Sequence, residues 1–210
     1  MYLKNRDKEI IKFIEEYGSI TINQCSNIFY NHCSQKYDLS RKRLKLISEN
    51  GYIKRNRKSM IDETVYYMKR KLTDHKLKVI DVYSRLFSKG IKVREFKMEY
   101  VVNIGKVVSG KEKSYRLDGF LEFEYKGYFY SFIIEVDKTH QTSKRKLVDI
   151  YESGYFQNKY KENGMGDNIY PDVLIVKSNS MMMNYLGYMD EEFNIDFIDW
   201  ELNGIERVLE

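Results

Sequence analysis

Proline is nearly missing from this chain, with Pro171 the only one in 210 residues, and no low-complexity run occurs. A long disordered linker is therefore not expected. Two cysteines, Cys25 and Cys33, flank His32, and two thiols with one imidazole do not complete a tetrahedral zinc site. Reduced structural thiols are the expectation, as in a cytosolic chain. There is no apolar stretch of about 18 residues, the length a membrane-spanning helix needs. The opening Met1-Tyr2-Leu3-Lys4-Asn5-Arg6 also lacks the apolar core of a secretory signal. These absences predict a soluble, cytoplasmic protein with no membrane partner.

What is present is enough for one large domain or two small ones: 42% of the residues are hydrophobic and 32% charged. The formal net charge of +5 conceals an asymmetry. Residues 1–71 hold sixteen Lys and Arg against eight Asp and Glu, a balance of +8, leaving −3 for residues 72–210. The excess is densest from Arg41 to Lys58, with eight basic residues against one acidic. Such a local surplus is the electrostatic footprint of a polyanion partner, with backbone phosphate the obvious contact.

Along this basic third, Ile10, Ile11, Phe13 and Ile14 have helical spacing within Asp7–Tyr17, and Gly18 stops that helix. A second helix starts near Thr21, and a third runs from about Asp38 or Ser40 to Glu49, ended by Asn50-Gly51. The strand-like runs 52–57 and 64–68 follow across a polar turn. Three short helices and a β-hairpin are the order of a winged helix, whose third helix enters the major groove. The DNA contacts expected from that order are Ser40, Arg41, Lys42, Arg43 and Lys45 on the third helix. Lys54, Arg55, Arg57 and Lys58 are expected on the wing.

A domain boundary is expected near Lys69-Arg70-Lys71, giving residues 1–71 and 72–210. Thr73-Asp74-His75 then opens a helix ended by Lys89-Gly90. Strands are predicted near 93–104, 115–124 and 128–137, with Asn103-Ile104-Gly105 and Ser109-Gly110-Lys111 marking a long loop between the first two. One helix is predicted from Thr142 or Ser143 to about Lys161, then a buried strand at 171–176 of the near-continuous apolar kind. Met181-Met182-Met183 is read as the start of another helix, and residues 193–198 as a last strand.

Three acids stand out. Asp118 lies in Leu117-Asp118-Gly119, and Glu135 and Asp137 close an aromatic, β-branched run. With a side-chain period of two, Glu135 and Asp137 share one face of their strand. A hairpin register that brings Asp118 beside them gathers three carboxylates, which repel unless a cation sits among them. A hard divalent cation, Mg²⁺ or Mn²⁺, is the simplest resolution, with Asp118, Glu135 and Asp137 as its ligands.

The order αβββαβ from residue 73, with an acid on the second strand and Glu-x-acid on the third, resembles the PD-(D/E)xK nuclease fold. More narrowly, Asp74-His75-Lys76-Leu77-Lys78-Val79, Leu117-Asp118-Gly119, Glu135-Val136-Asp137, and Lys146 with Tyr151 resemble the plasmid replication-relaxation family of mobile elements. The resemblance implies an α+β protein: an N-terminal winged-helix domain followed by an αβββαβ PD-(D/E)xK nuclease-like domain. It implies a double-stranded DNA partner and a role in plasmid replication or DNA processing. If the domain is catalytic, the reaction is Mg²⁺-dependent phosphodiester cleavage. Asp118, Glu135 and Asp137 would then serve it with Lys138 or Lys146, Lys144 being a third source of the ammonium. The chain departs from Glu-x-Lys in having Asp137 at the third position. In the alternative reading the protein is a non-catalytic regulator. Its second domain then serves homodimerisation or binds replication or transfer proteins of the same element.

Overall fold

The protein is seen in a computed structural model that describes residues 2–106, 112–178 and 192–210. The loop expected at Ser109-Gly110-Lys111 and the helix expected at Met181-Met182-Met183 lie outside the described residues. The architecture is α+β, in two compact units that divide after Gly90. No helix among the described residues is long and apolar enough to cross a membrane. The division falls nineteen residues beyond the boundary expected after Lys71, because the helix opened by Thr73 belongs to the first unit.

The first unit runs α1 (Asn5–Tyr17), β1 (Ser19–Thr21), α2 (Ile22–Phe29), α3 (Lys36–Glu49), β2 (Lys54–Asn56), β3 (Val65–Tyr67) and α4 (Asp74–Ser88). Its three short strands form an antiparallel sheet in the order β1-β3-β2. Gly18 ends α1 at φ 90°, a conformation that favours glycine. Thr21 opens α2 with a capping box: its side chain accepts from Gln24 N, and Gln24 Oε1 accepts from Thr21 N at 2.9 Å. The Gln24 amide then reaches α4, donating to Leu77 O at 3.0 Å and to Asp81 Oδ1 at 2.7 Å. Ile10, Ile20, Cys25, Leu44, Ile47 and Ile80 make a fully buried apolar core.

One charge pair is buried with it. Asp7 is wholly inaccessible; its carboxylate accepts from Lys4 N at 2.7 Å, capping α1, and takes Arg43 Nε at 2.8 Å with Nη2 alongside. The planar guanidinium fits a carboxylate bidentately, which is the geometry that compensates two desolvated charges.

The second unit is built on a five-stranded mixed sheet in the order β10-β9-β8-β7-β4. Its strands are β4 (Lys92–Met98), β7 (Gly119–Tyr125), β8 (Tyr128–Asp137), β9 (Asp172–Lys177) and β10 (Ile195–Asp199). The β7–β8 hairpin turns at Lys126-Gly127, both with positive φ, which suits a two-residue turn. β8, β9 and β10 are parallel. Leu147, Ile150, Phe156 and Tyr160, from α5 (Lys144–Glu152) and α6 (Tyr155–Glu162), share a buried core with Phe120, Ile133, Val173 and Ile175. The single helix expected from 142 to 161 is two, because Gly154 turns left-handed at φ 67° between them.

The strands expected at 93–104 and 115–124 are each divided. A second hairpin, β5 (Val101–Lys106) with β6 (Glu112–Arg116), continues the β4–β7 pair past a bend. At that bend Glu99 has φ 51°, Glu99 N donates to Asp118 O at 2.9 Å, and Leu117 N donates to Tyr100 O at 2.8 Å. The order αβββαβ expected from residue 73 is therefore α4, then β4 to β8, α5, α6, β9 and β10. Asp118 sits at the bend before β7 rather than on a strand.

Candidate functional site

The basic run of the first unit separates into exposed and committed residues. Arg41, Lys42 and Lys45 are exposed on α3, and Lys54 and Arg55 are exposed on β2. Arg41 pairs with Asp38 at 3.2 Å, Lys45 with Glu49 at 3.6 Å, and Lys58 with Asp74 at 3.1 Å. Solvated pairs like these contribute little and exchange readily for phosphate.

Three residues expected on the DNA face are engaged elsewhere. Ser40 is completely buried and its hydroxyl donates to Lys36 O at 2.8 Å, so it has no face to offer. Arg43 is the partly buried partner of the buried Asp7. Arg57 turns back into its own loop, Nε donating to Asp62 O at 2.8 Å and Nη2 to Met60 O. For Ser40 the signal was present, since 40, 44 and 47 are one helical face. Read from the sequence only as a boundary, Lys69-Arg70-Lys71 lies directly after β3, where Tyr67 pairs with Lys54. Lys71 Nζ donates to Asn56 Oδ1 at 3.2 Å, and Lys69 and Arg70 are exposed, extending the basic surface beside β2.

In the second unit the acids converge at one end of the sheet. Register pairs Gly119 with Ile134, so one step further sets Asp118 opposite Glu135. The Val136 amide donates to Asp118 Oδ2 at 2.8 Å, which fixes that carboxylate against β8. Glu135 and Asp137 are 3% and 1% exposed, extreme values for carboxylates. Lys146, carried on α5, donates to Glu135 Oε1 at 2.6 Å and is itself largely buried.

Thr142, absent from the expected set, ties the cluster together. Its amide donates to Asp137 Oδ1 at 2.9 Å. Its hydroxyl lies 2.7 Å from the same oxygen and 3.4 Å from Glu135 Oε2. Having one proton, that hydroxyl donates to the nearer acceptor. Lys138, the other lysine expected to serve the acids, is exposed, with Nζ 5.8 Å from the Trp200 ring centroid. It lies just past the end of β8. Lys144 is exposed as well. Lys146 is the candidate lysine that the described contacts bring to Glu135.

Burial pushes the Glu135 carboxyl up to about 7; the Lys146 ammonium opposes this, and the Asp118 and Asp137 charges add to it. The folded pKa lies above the ordinary value of 4.5, so the native state holds this proton longer than the unfolded chain. The group's contribution to stability is therefore complete at low pH and declines as pH rises from about 4.5 to about 7. Glu135→Gln is expected to remove that decline. At pH 8 it should raise stability by up to roughly 3 kcal/mol, a figure that already includes the pull of Lys146 on the carboxylate. Urea unfolding followed by fluorescence of Trp200, the only tryptophan, checks this at pH 5 and pH 8. Equal wild-type and variant stabilities at pH 8 would contradict it.

As donors, three carboxylates suit a hard cation such as Mg²⁺. Lys146 supplies the compensating charge at Glu135, the Val136 amide holds Asp118, and Thr142 holds Asp137. Among the described residues no group of three or more His, Cys, Asp or Glu side chains is placed to hold a metal ion. The site is thus a buried acid cluster compensated by a lysine. In comparisons with known proteins the chain matches no family model, no curated protein and no solved structure.

Proposed function

We propose that the chain is a DNA-binding protein that docks on duplex DNA through its first unit and acts in replication or processing of a plasmid or other mobile element. The observation that carries this reading is the order α1-β1-α2-α3-β2-β3 with a β1-β3-β2 sheet. That order supports a winged helix, with α3 as the helix for the major groove and the β2–β3 hairpin as the wing. Charge agrees with topology: Arg41, Lys42 and Lys45 mark α3, and Lys54 and Arg55 mark β2. Phosphate contacts position such a domain without reading sequence.

The β7–β8 hairpin, the parallel β8–β9 pair and helices on one face support a nuclease-like reading of the second unit. Two roles follow from it. Lys146 favours cleavage, because it brings to the acids the ammonium that Glu-x-Asp lacks. The same ion pair favours a regulator, because it satisfies Glu135 where a divalent cation would have to bind. The regulator, with the second unit binding a second copy or another protein of the element, fits the arrangement described here.

Incubating supercoiled plasmid with the protein and Mg²⁺ or Mn²⁺ decides between the roles. The expected result is retardation of the plasmid without conversion to open-circle or linear forms. Conversion by the wild type, lost in Asp118→Ala/Glu135→Ala, would establish a nuclease. No retardation would sink the DNA-binding reading itself.

A further inference from the structure

The β2–β3 turn carries two adjacent apolar side chains almost wholly in water, Met60 at 91% and Ile61 at 96% exposure. Single exposed apolar residues are ordinary. Two in succession at a hairpin tip, on a turn held by its own side chain, are not. Arg57 donates to Asp62 O at 2.8 Å and to Met60 O, so its guanidinium braces the loop from within and projects the pair outward. Behind the tip the surface is cationic, with Lys54 and Arg55 exposed on β2 and Lys69 and Arg70 exposed after β3.

An apolar tip on a basic stem matches duplex DNA, whose phosphates line the groove edges and whose stacked bases form an apolar interior. We propose that Met60 and Ile61 are a wedge that enters the minor groove and partly unstacks a base step. This rests on the DNA-docking reading above. Met and Ile are among the side chains that unstack base steps in this way. With α3 in the major groove, the loop 57–64 between β2 and β3 is the element proposed for the neighbouring minor groove, about 6 Å wide. The wedge adds a distortion of the duplex to its mere binding, and with it a preference for flexible pyrimidine–purine steps.

The test uses a short mixed-sequence duplex with 2-aminopurine placed in TA steps, whose fluorescence rises on unstacking. Wild-type protein is expected to raise the signal on binding. Met60→Ser/Ile61→Ser should lose the rise and about ten-fold in affinity. Its dependence of affinity on salt should stay as in wild type, because the cations remain. Both sites are exposed, and circular dichroism of the variant confirms the fold. Wild-type binding without a rise, or a variant that binds and unstacks as wild type does, overturns the wedge. A wild type that sediments as a dimer, becomes monomeric in the variant and gives an equal rise in both overturns it in favour of self-association. A wild type that binds no duplex overturns the docking reading, and the wedge falls with it.

Discussion

Reversing Arg41, Lys42, Lys45, Lys54 and Arg55 to glutamate is expected to abolish measurable duplex binding. Each phosphate contact releases counterions and adds about 0.9 to the slope of log affinity against log salt. Five lost contacts should remove a slope of roughly 4 and weaken binding by at least about a thousand-fold near 0.1 M salt. All five side chains are exposed, and the partners of Arg41 and Lys45 are solvated acids on the same helix, so the fold should survive. Titrations at several salt concentrations separate this from a general charge effect. Reversing Lys92 and Lys126, exposed in the second unit, changes net charge and should leave the slope within about one of wild type. Unchanged binding by the five-site variant would remove α3 and β2 from the interface.

How these five were separated from the four others shows where sequence reasoning reached its limit. Helix ends were legible because they are local chemistry: Gly18, Thr21, Asn50-Gly51 and Thr73 each act through backbone geometry or a cap within four residues. A run of basic residues carries no such local address. Arg43 and Lys42 are neighbours in the chain, yet one is partly buried against Asp7 and the other is in water. The difference is made by Asp7, 36 residues away, which no periodicity on α3 announces. Arg57 was hidden for another reason: its partners are backbone carbonyls, which every loop has.

The acid cluster was legible in its faces and register. Alternation puts Glu135 and Asp137 together, and the Lys126-Gly127 turn fixes the pairing that brings Asp118 opposite Glu135. The bend at Asp118 was not legible, because the positive φ falls on Glu99, where neither glycine nor asparagine marks it. Nor was the choice of lysine. Lys138 is adjacent to Asp137 in sequence yet exposed just past the end of β8, whereas Lys146 arrives from a helix whose docking depends on Leu147 and Ile150 filling the core. A partly buried cluster of one lysine and two acids lies beside that core, unsignalled by any motif. Lys159 on α6 donates to Glu122 at 2.8 Å and Glu95 at 3.0 Å, and Tyr160 donates to Glu122 at 2.8 Å. Burial would raise the Glu95 carboxyl, but hydrogen bonds from Lys97 and Lys159 outweigh it and hold the group below its ordinary value.

Asp7→Ala is expected to destabilise the first unit by about 2–3 kcal/mol, because it leaves the partly buried Arg43 guanidinium without its anion. It also removes the acceptor for Lys4 N and the favourable negative charge at the start of α1. Amide hydrogen exchange across α1–α3 checks the result, with protection lower in Asp7→Ala than in wild type. The paired replacement Asp7→Leu/Arg43→Met should recover most of the stability, since apolar side chains of similar size remove both desolvated charges at once. That recovered variant also tests what Arg43 does. If its role is to hold α1 against α3, the pair replacement binds duplex DNA within about three-fold of wild type once folded, since the two charges removed cancel and the net charge is unchanged. A folded pair variant weakened ten-fold or more, with a salt slope lower by about one, would return Arg43 to the phosphate face.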